Sequence, residues 1–171
     1  MARNESKLEG VASIIREKTG VKTQVVVCDF STLDSKESVQ NLEQKIAGIE
    51  GDVSILVNNV GLLTYGKVAG LSITDMRTMI NINVNTTTYM TTFLLPRLLH
   101  RRNKRSAIIN LTSKMGYLQM ADFGPYGASK SYVQSLTGAL REAYSEQLDV
   151  MLIIPGSVKS GINPGTMPNT V

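Results

Sequence analysis

Tyr126 has a lysine four residues after it, Lys130, and a serine thirteen before it, Ser113, in the stretch LTSKMGYLQMADFGPYGASK. On a helix, positions i and i+4 share a face. The Lys130 ammonium can therefore stand beside the Tyr126 phenol and favour its phenolate. A free phenol titrates near pH ~10, too high to trade protons readily at neutral pH, and a neighbouring cation brings it down. That spacing suits the proton transfer that accompanies hydride transfer. Each residue also has a plainer use when taken singly: a packing tyrosine, a solvated lysine, a loop hydroxyl.

The chemistry needs elements that hold these three side chains together. Ser113 follows an apolar run, Ala107-Ile108-Ile109-Asn110-Leu111, that reads as a buried strand. Open α/β sheets place their ligands at the carboxyl ends of such strands. Before it, residues 4–19 read as an amphipathic helix (Leu8, Val11, Ile14, Ile15) stopped by Gly20, and Gln24-Val25-Val26-Val27-Cys28-Asp29 as a strand. A helix over roughly 35–49 carries Val39, Leu42 and Ile46, and residues 53–57 form the next strand. A long helix from about 72 to 100, the strand 107–111, a helix from about 125 to 146 and a strand at 150–154 complete the chain. Apolar strands separated by single helices imply parallel βαβ crossovers, with helices covering both faces of the sheet.

The composition narrows the function classes. The chain has 171 residues, 42% hydrophobic and 19% charged, with a net charge of +4. It carries no apolar stretch long enough to span a bilayer. The densest basic run, His100-Arg101-Arg102-Asn103-Lys104-Arg105, falls at a helix end, where cations complement the dipole. Aromatics make up only 5% and do not interleave with basic residues, which argues against a nucleic-acid surface. The one cysteine, Cys28, has no partner for an internal disulfide and fits a small core position in a reducing compartment. The single histidine, His100, has no ligand-like companions, so no metal site is expected.

Taken together, these residues resemble the short-chain dehydrogenase/reductase family along essentially the whole chain. Asn58-Asn59-Val60-Gly61 after a strand is similar to the family's Asn-Asn-Ala-Gly motif, with Val60 in the alanine's place. Asn83 falls where the family keeps its asparagine, Asp29 where it contacts the adenine, and Pro155-Gly156-Ser157-Val158 where it runs beside the nicotinamide. The resemblance implies a Rossmann-like, doubly wound parallel sheet and an oxidoreductase using NADP(H). Tyr126 would be the general acid or base, Lys130 would lower its pKa and hold the nicotinamide ribose, Ser113 would bond the substrate oxygen, and Asn83 would anchor a water leading to Lys130. The implied cofactor contacts are Arg3, Asp29, Asn58, Val60, Gly61, Tyr126, Lys130, Pro155, Gly156 and Val158, with Arg3 pairing the 2′-phosphate.

Within the family, the resemblance is to hydroxysteroid dehydrogenases and very-long-chain 3-oxoacyl-CoA reductases. Met115, Tyr117 and Met120, with Leu118 and Phe123, would line an apolar substrate pocket next to Ser113. Such relatives are often tied to the endoplasmic reticulum, and a cytoplasmic location is the alternative. A homodimer through the helices around 72–100 and 125–146 is expected. The family's glycine-rich pyrophosphate turn has no counterpart, Met1 falls where its second strand should be ending, and the chain stops soon after Pro155-Gly156. Residues 1–171 therefore read as a single domain incomplete at both ends. The competing reading is a catalytically silent chain that serves as a dimerisation or interaction partner.

Overall fold

The computed structural model describes residues 1–101 and 104–156, which divide into two compact units, Met1–Asp52 and a second that begins at Val53. In the first unit, α1 (Glu5–Thr19) starts at Asn4, whose side chain accepts the Lys7 N–H at 2.8 Å. It stops at Gly20, whose φ of 68° is the left-handed conformation that glycine adopts without penalty. The expected apolar stripe is present, yet only Ala12 is buried, and Val11, Ile14 and Ile15 are exposed. Helix α2 (Lys36–Ala47) is opened by a Ser35–Ser38 capping box and buries Leu42 and Ile46, as its spacing requires.

The segment 24–29 departs from expectation. It forms one parallel bridge, Ala2 to Val27, with Cys28 N–H donating to Ala2 O at 2.9 Å, and no ladder. A strand persists only where a neighbouring backbone runs alongside it for several residues. Here side chains take that place: Lys45 Nζ donates to Val27 O at 2.7 Å, and the Gln24 amide bonds Gly48 O and Glu50 N–H.

The second unit is a parallel sheet of β1 (Ile55–Asn58), β2 (Ser106–Leu111) and β3 (Leu148–Ile153), in that spatial order. The first crossover is a continuous helical rod made of α3 (Ile73–Ile80), a π-helical turn (Asn81–Asn85) and α4 (Thr86–Leu99). The second is α5 (Gly124–Tyr144). Two right-handed crossovers that step in the same direction must lie on the same face of the sheet. Leu56, Asn58, Ile108, Asn110 and Leu148 are buried on that side. The other face carries exposed Ile55, Val57, Met151 and Ile153, so no helix of this unit covers it. The expectation of two covered faces fails there, although the architecture is the open, Rossmann-like α/β arrangement.

The covered face is polar at its centre. Asn58 and Asn110 are register partners on β1 and β2, and Asn58 Nδ2 donates to Asn110 Oδ1 at 2.8 Å and to Thr91 Oγ1 at 3.1 Å. Asn110 Nδ2 in turn donates to Thr137 Oγ1 at 2.9 Å, and that hydroxyl donates to Val133 O at 2.6 Å. The chain of bonds ties β1, β2, α4 and α5 at one level. Asn110→Ala should cost about 2 kcal/mol, because it leaves buried polar groups on both flanks short of a partner. The check is a lowered midpoint in denaturant titration with an unchanged slope.

Candidate active site

Ser113 stands two residues beyond the end of β2 and begins a short turn, accepting the Met115 N–H at 3.2 Å. The chain around it is fixed on two sides. Thr112 N–H donates to Ile153 O at 2.9 Å and Lys114 N–H to Pro155 O at 3.2 Å, so the segment runs beside the chain leaving β3. Thr112 Oγ1 donates to Lys130 O at 2.9 Å, which fastens the same segment to α5. Pro155 and Gly156 are thereby brought next to Ser113, and a Cβ on Gly156 would lie 3.4 Å from Lys114 Nζ. Val158 lies outside the described residues.

Helix α5 begins at Gly124 with Pro125 in its first turn, a position where the missing N–H costs nothing. Gly127 lets this turn approach the Ser113 turn closely, since a Cβ there would meet Met115 O at 2.6 Å. Tyr126 and Lys130 are both buried, on one face, with Lys130 Nζ 5.8 Å from the Tyr126 ring centroid. Ser113 lies close enough to the phenol to favour its ionised form. The three groups found from their spacing are therefore assembled as expected.

Their electrostatics differ from expectation in one respect. Burial raises the Tyr126 phenol above its ordinary value, and the nearby Ser113 side chain opposes this without cancelling it. The net direction is upward even though the Lys130 ammonium stands over the ring, because a buried phenolate loses its hydration. Lys130 itself is pulled down to about 8 by burial. Its hydrogen bond in the structure goes to Leu111 O and is long, 3.5 Å. That leaves ammonium protons available for a ligand hydroxyl.

Asn83 sits in the π-helical turn and is buried. Its Oδ1 accepts the Leu62 N–H at 2.8 Å, and its Nδ2 donates to Leu62 O at 2.9 Å and to Ser129 Oγ at 2.9 Å. The side chain thus clamps the segment that follows β1. The hydroxyls of Thr86, Thr87 and Thr88 bond the carbonyls of Asn81, Asn83 and Val84, which helps satisfy a turn whose helical ladder is widened.

The other expected contacts are dispersed. Asn58 spends its amide inside the core on Asn110 and Thr91, so toward a ligand it offers only backbone, as Val60 and Gly61 do in the half-buried segment after it. Arg3 and Asp29 belong to the first unit, where Asp29 accepts the Ser31 N–H and hydroxyl and is held below its usual range by those bonds and, more weakly, by Arg3. Met115, Tyr117 and Met120 line a cavity of about 490 Å³ together with Leu118 and Phe123. Ser113, Tyr126 and Lys130 do not line it, so it opens beside the polar groups rather than over them. No cluster of metal-ligating side chains occurs among the described residues.

Residues 1–169 match the short chain dehydrogenase family. The chain belongs to that family. It is 32% identical over 171 residues to the uncharacterized oxidoreductase YciK of Escherichia coli (strain K12), covering 98% of this chain and 66% of that protein. It is 32% identical over 160 residues to the very-long-chain 3-oxoacyl-CoA reductase of Homo sapiens, covering 91% of this chain and 49% of that one. A crystal structure of a short chain dehydrogenase from Escherichia coli CFT073 complexed with NADPH matches with a TM-score of 0.78 at 32% identity, covering 90% of this chain and 63% of the other. The chain thus spans from about half to two thirds of the length of these relatives.

Thr112 and Ser129, whose hydroxyls bond Lys130 O and Tyr126 O, are not among the residues singled out from the sequence. Both are small hydroxyl residues adjacent to the recognised positions, and nothing in their spacing marks them. Lys130 carries a stability signature. Its proton affinity is lower folded than unfolded, so burying the charge costs stability below pH about 8, and that cost fades as pH rises from about 8 to the ordinary lysine value of 10.5. Lys130→Met should accordingly be more stable than wild type at pH 7, by roughly 3 kcal/mol at most. Denaturant titrations at pH 7 and at higher pH should show the gap narrowing.

Proposed function

We propose that this chain carries the catalytic segment of an NADP-dependent oxidoreductase that interconverts a carbonyl and a secondary alcohol. The observation that carries the reading is the buried Tyr126 phenol, close to Ser113 and lying beneath the Lys130 ammonium. The phenol is protonated at neutral pH, the form needed to protonate the oxygen of a carbonyl under reduction. Ser113 would bond that same oxygen and orient it. Bound NADPH would supply the hydride.

The residues around Ser113 and after β1 fit the nicotinamide ribose part of such a cofactor. Lys130 has protons available for ribose hydroxyls, the backbone of Val60 and Gly61 lies after β1, and Pro155 and Gly156 stand beside Ser113. The NADPH complex of the Escherichia coli CFT073 relative supports this assignment. Arg3, exposed and close enough to Asp29 to lower its carboxyl, is assigned to the 2′-phosphate.

The substrate we assign is a steroid or a long-chain acyl compound. Two things support it: the human relative is a very-long-chain 3-oxoacyl-CoA reductase, and the cavity beside Ser113 has an apolar lining suited to a tail. A homodimer through α4 and α5 is supported by a groove of about 530 Å³ between those helices, lined by Leu95, Pro96, Leu99, Leu136 and Leu140. We assign association with the endoplasmic reticulum on the resemblance to that subfamily, with a cytoplasmic location as the alternative. Among the described residues no helix is long and apolar enough to cross a membrane.

Tyr126→Phe in the full-length protein should lower kcat at least ~100-fold while NADPH affinity, measured by calorimetry, stays nearly constant. Turnover within a few-fold of wild type would overturn the assignment. Arg3→Asp should reverse the preference for NADPH over NADH, read as the ratio of the two kcat/KM values. An unchanged ratio would remove Arg3 from the cofactor site.

A further inference from the structure

We propose that Ser129 is a positioning residue for the reaction: its hydroxyl joins the first turn of α5, which carries Tyr126, to Asn83 and through it to the segment after β1. The proposal rests on the oxidoreductase reading of Tyr126 given above. Ser129 Oγ donates to Tyr126 O at 2.7 Å and accepts from Asn83 Nδ2 at 2.9 Å. Ser129 is only 4% exposed, and Asn83 1%.

The proton directions along this chain are dictated. The Leu62 N–H can bond only to an acceptor, so Asn83 must turn its Oδ1 toward it. Nδ2 then has its two protons for Leu62 O and Ser129 Oγ. The serine hydroxyl, already receiving one of these, gives its own proton to the Tyr126 carbonyl. Reversing any link leaves two donors or two acceptors face to face.

The location makes the link matter. The turn of α5 that holds Tyr126 has no side-chain cap, since Phe123 at the cap position makes no capping bond. Neighbouring carbonyls are held by other hydroxyls: Gly127 O by Ser131 and Lys130 O by Thr112. For the carbonyl of Tyr126 itself, Ser129 does this, and of these three hydroxyls it is the one that is bonded to the Asn83 side chain. Leu62, which directly follows the Val60 and Gly61 assigned above to the cofactor, and the phenol that delivers the proton are thereby held to a common frame. A displacement of about 1 Å between two reacting groups is enough to slow a reaction by one to two powers of ten.

The test uses the full-length protein with NADPH and a model ketone, and reads kcat, KM and, separately, the tyrosinate absorbance titration of Tyr126 against a Tyr126→Phe reference. Ser129→Ala should lower kcat about tenfold with little change in KM for NADPH, and should shift the Tyr126 titration. Ser129→Thr, which keeps the hydroxyl, should recover most of the loss. In an Asn83→Ala background, Ser129→Ala should cost nothing further. A Ser129→Ala protein that melts lower but keeps wild-type kcat and an unshifted titration would overturn the proposal, leaving the serine a packing residue. So would full additivity with Asn83→Ala. If Tyr126→Phe is active, the oxidoreductase reading fails, while the titration of Ser129→Ala still decides whether the hydroxyl positions the phenol.

Discussion

The burial of one ammonium group sets the terms for the rest of the site. Lys130 is 5% exposed, and among the described residues no carboxylate compensates it. What it has instead is the face of the Tyr126 ring and a long bond to the Leu111 carbonyl. Removing most of its hydration without supplying a counter-charge lowers its proton affinity into the range where an enzyme works. The same dry surroundings push the phenol beside it the other way. A cation that gives up its proton more easily and a phenol that keeps its own are opposite results of one cause.

Keeping such groups in register requires an interior that cannot slide. The fold achieves this with buried polar side chains that satisfy one another rather than with a purely apolar core. Asn58, Asn110, Thr91 and Thr137 tie two strands to two helices, and Asn83 with Ser129 ties the segment after β1 to α5. Apolar contacts tolerate small shifts, whereas a buried amide displaced by an ångström loses its bond and bears the full desolvation cost. Gly127 sets the remaining spacing by allowing helix and turn to meet at backbone distance.

Topology explains what the second unit leaves bare. Strands laid down in the order β1, β2, β3 with right-handed crossovers stack both helical layers on one side. Ile55, Val57, Met151 and Ile153 are apolar because parallel strands are built for burial on two faces, and here they remain exposed. In the first unit the extended segment around Val27 shows the complementary case: strand-forming residues with one bridge and no ladder.

Local chemistry made much of this legible in advance. Asn4, Gly20 and Ser35 mark helix ends because their side chains or φ angles satisfy orphaned backbone groups, and such signals act over three or four residues. Tyr126 and Lys130 share a face because helical periodicity is a local property, and the order of the crossovers follows from the alternation of strand and helix patterns. What the sequence by itself determined was therefore the element order, the pairing of Tyr126 with Lys130, and the position of Ser113 at a strand's carboxyl end. Only the tertiary structure decided the sign of the phenol's shift, since that depends on how much water packing removes. It alone turned Asn58 inward and Asn83 toward Leu62 and Ser129, because a hydrogen bond between residues 46 or 52 positions apart leaves no periodic trace along the chain.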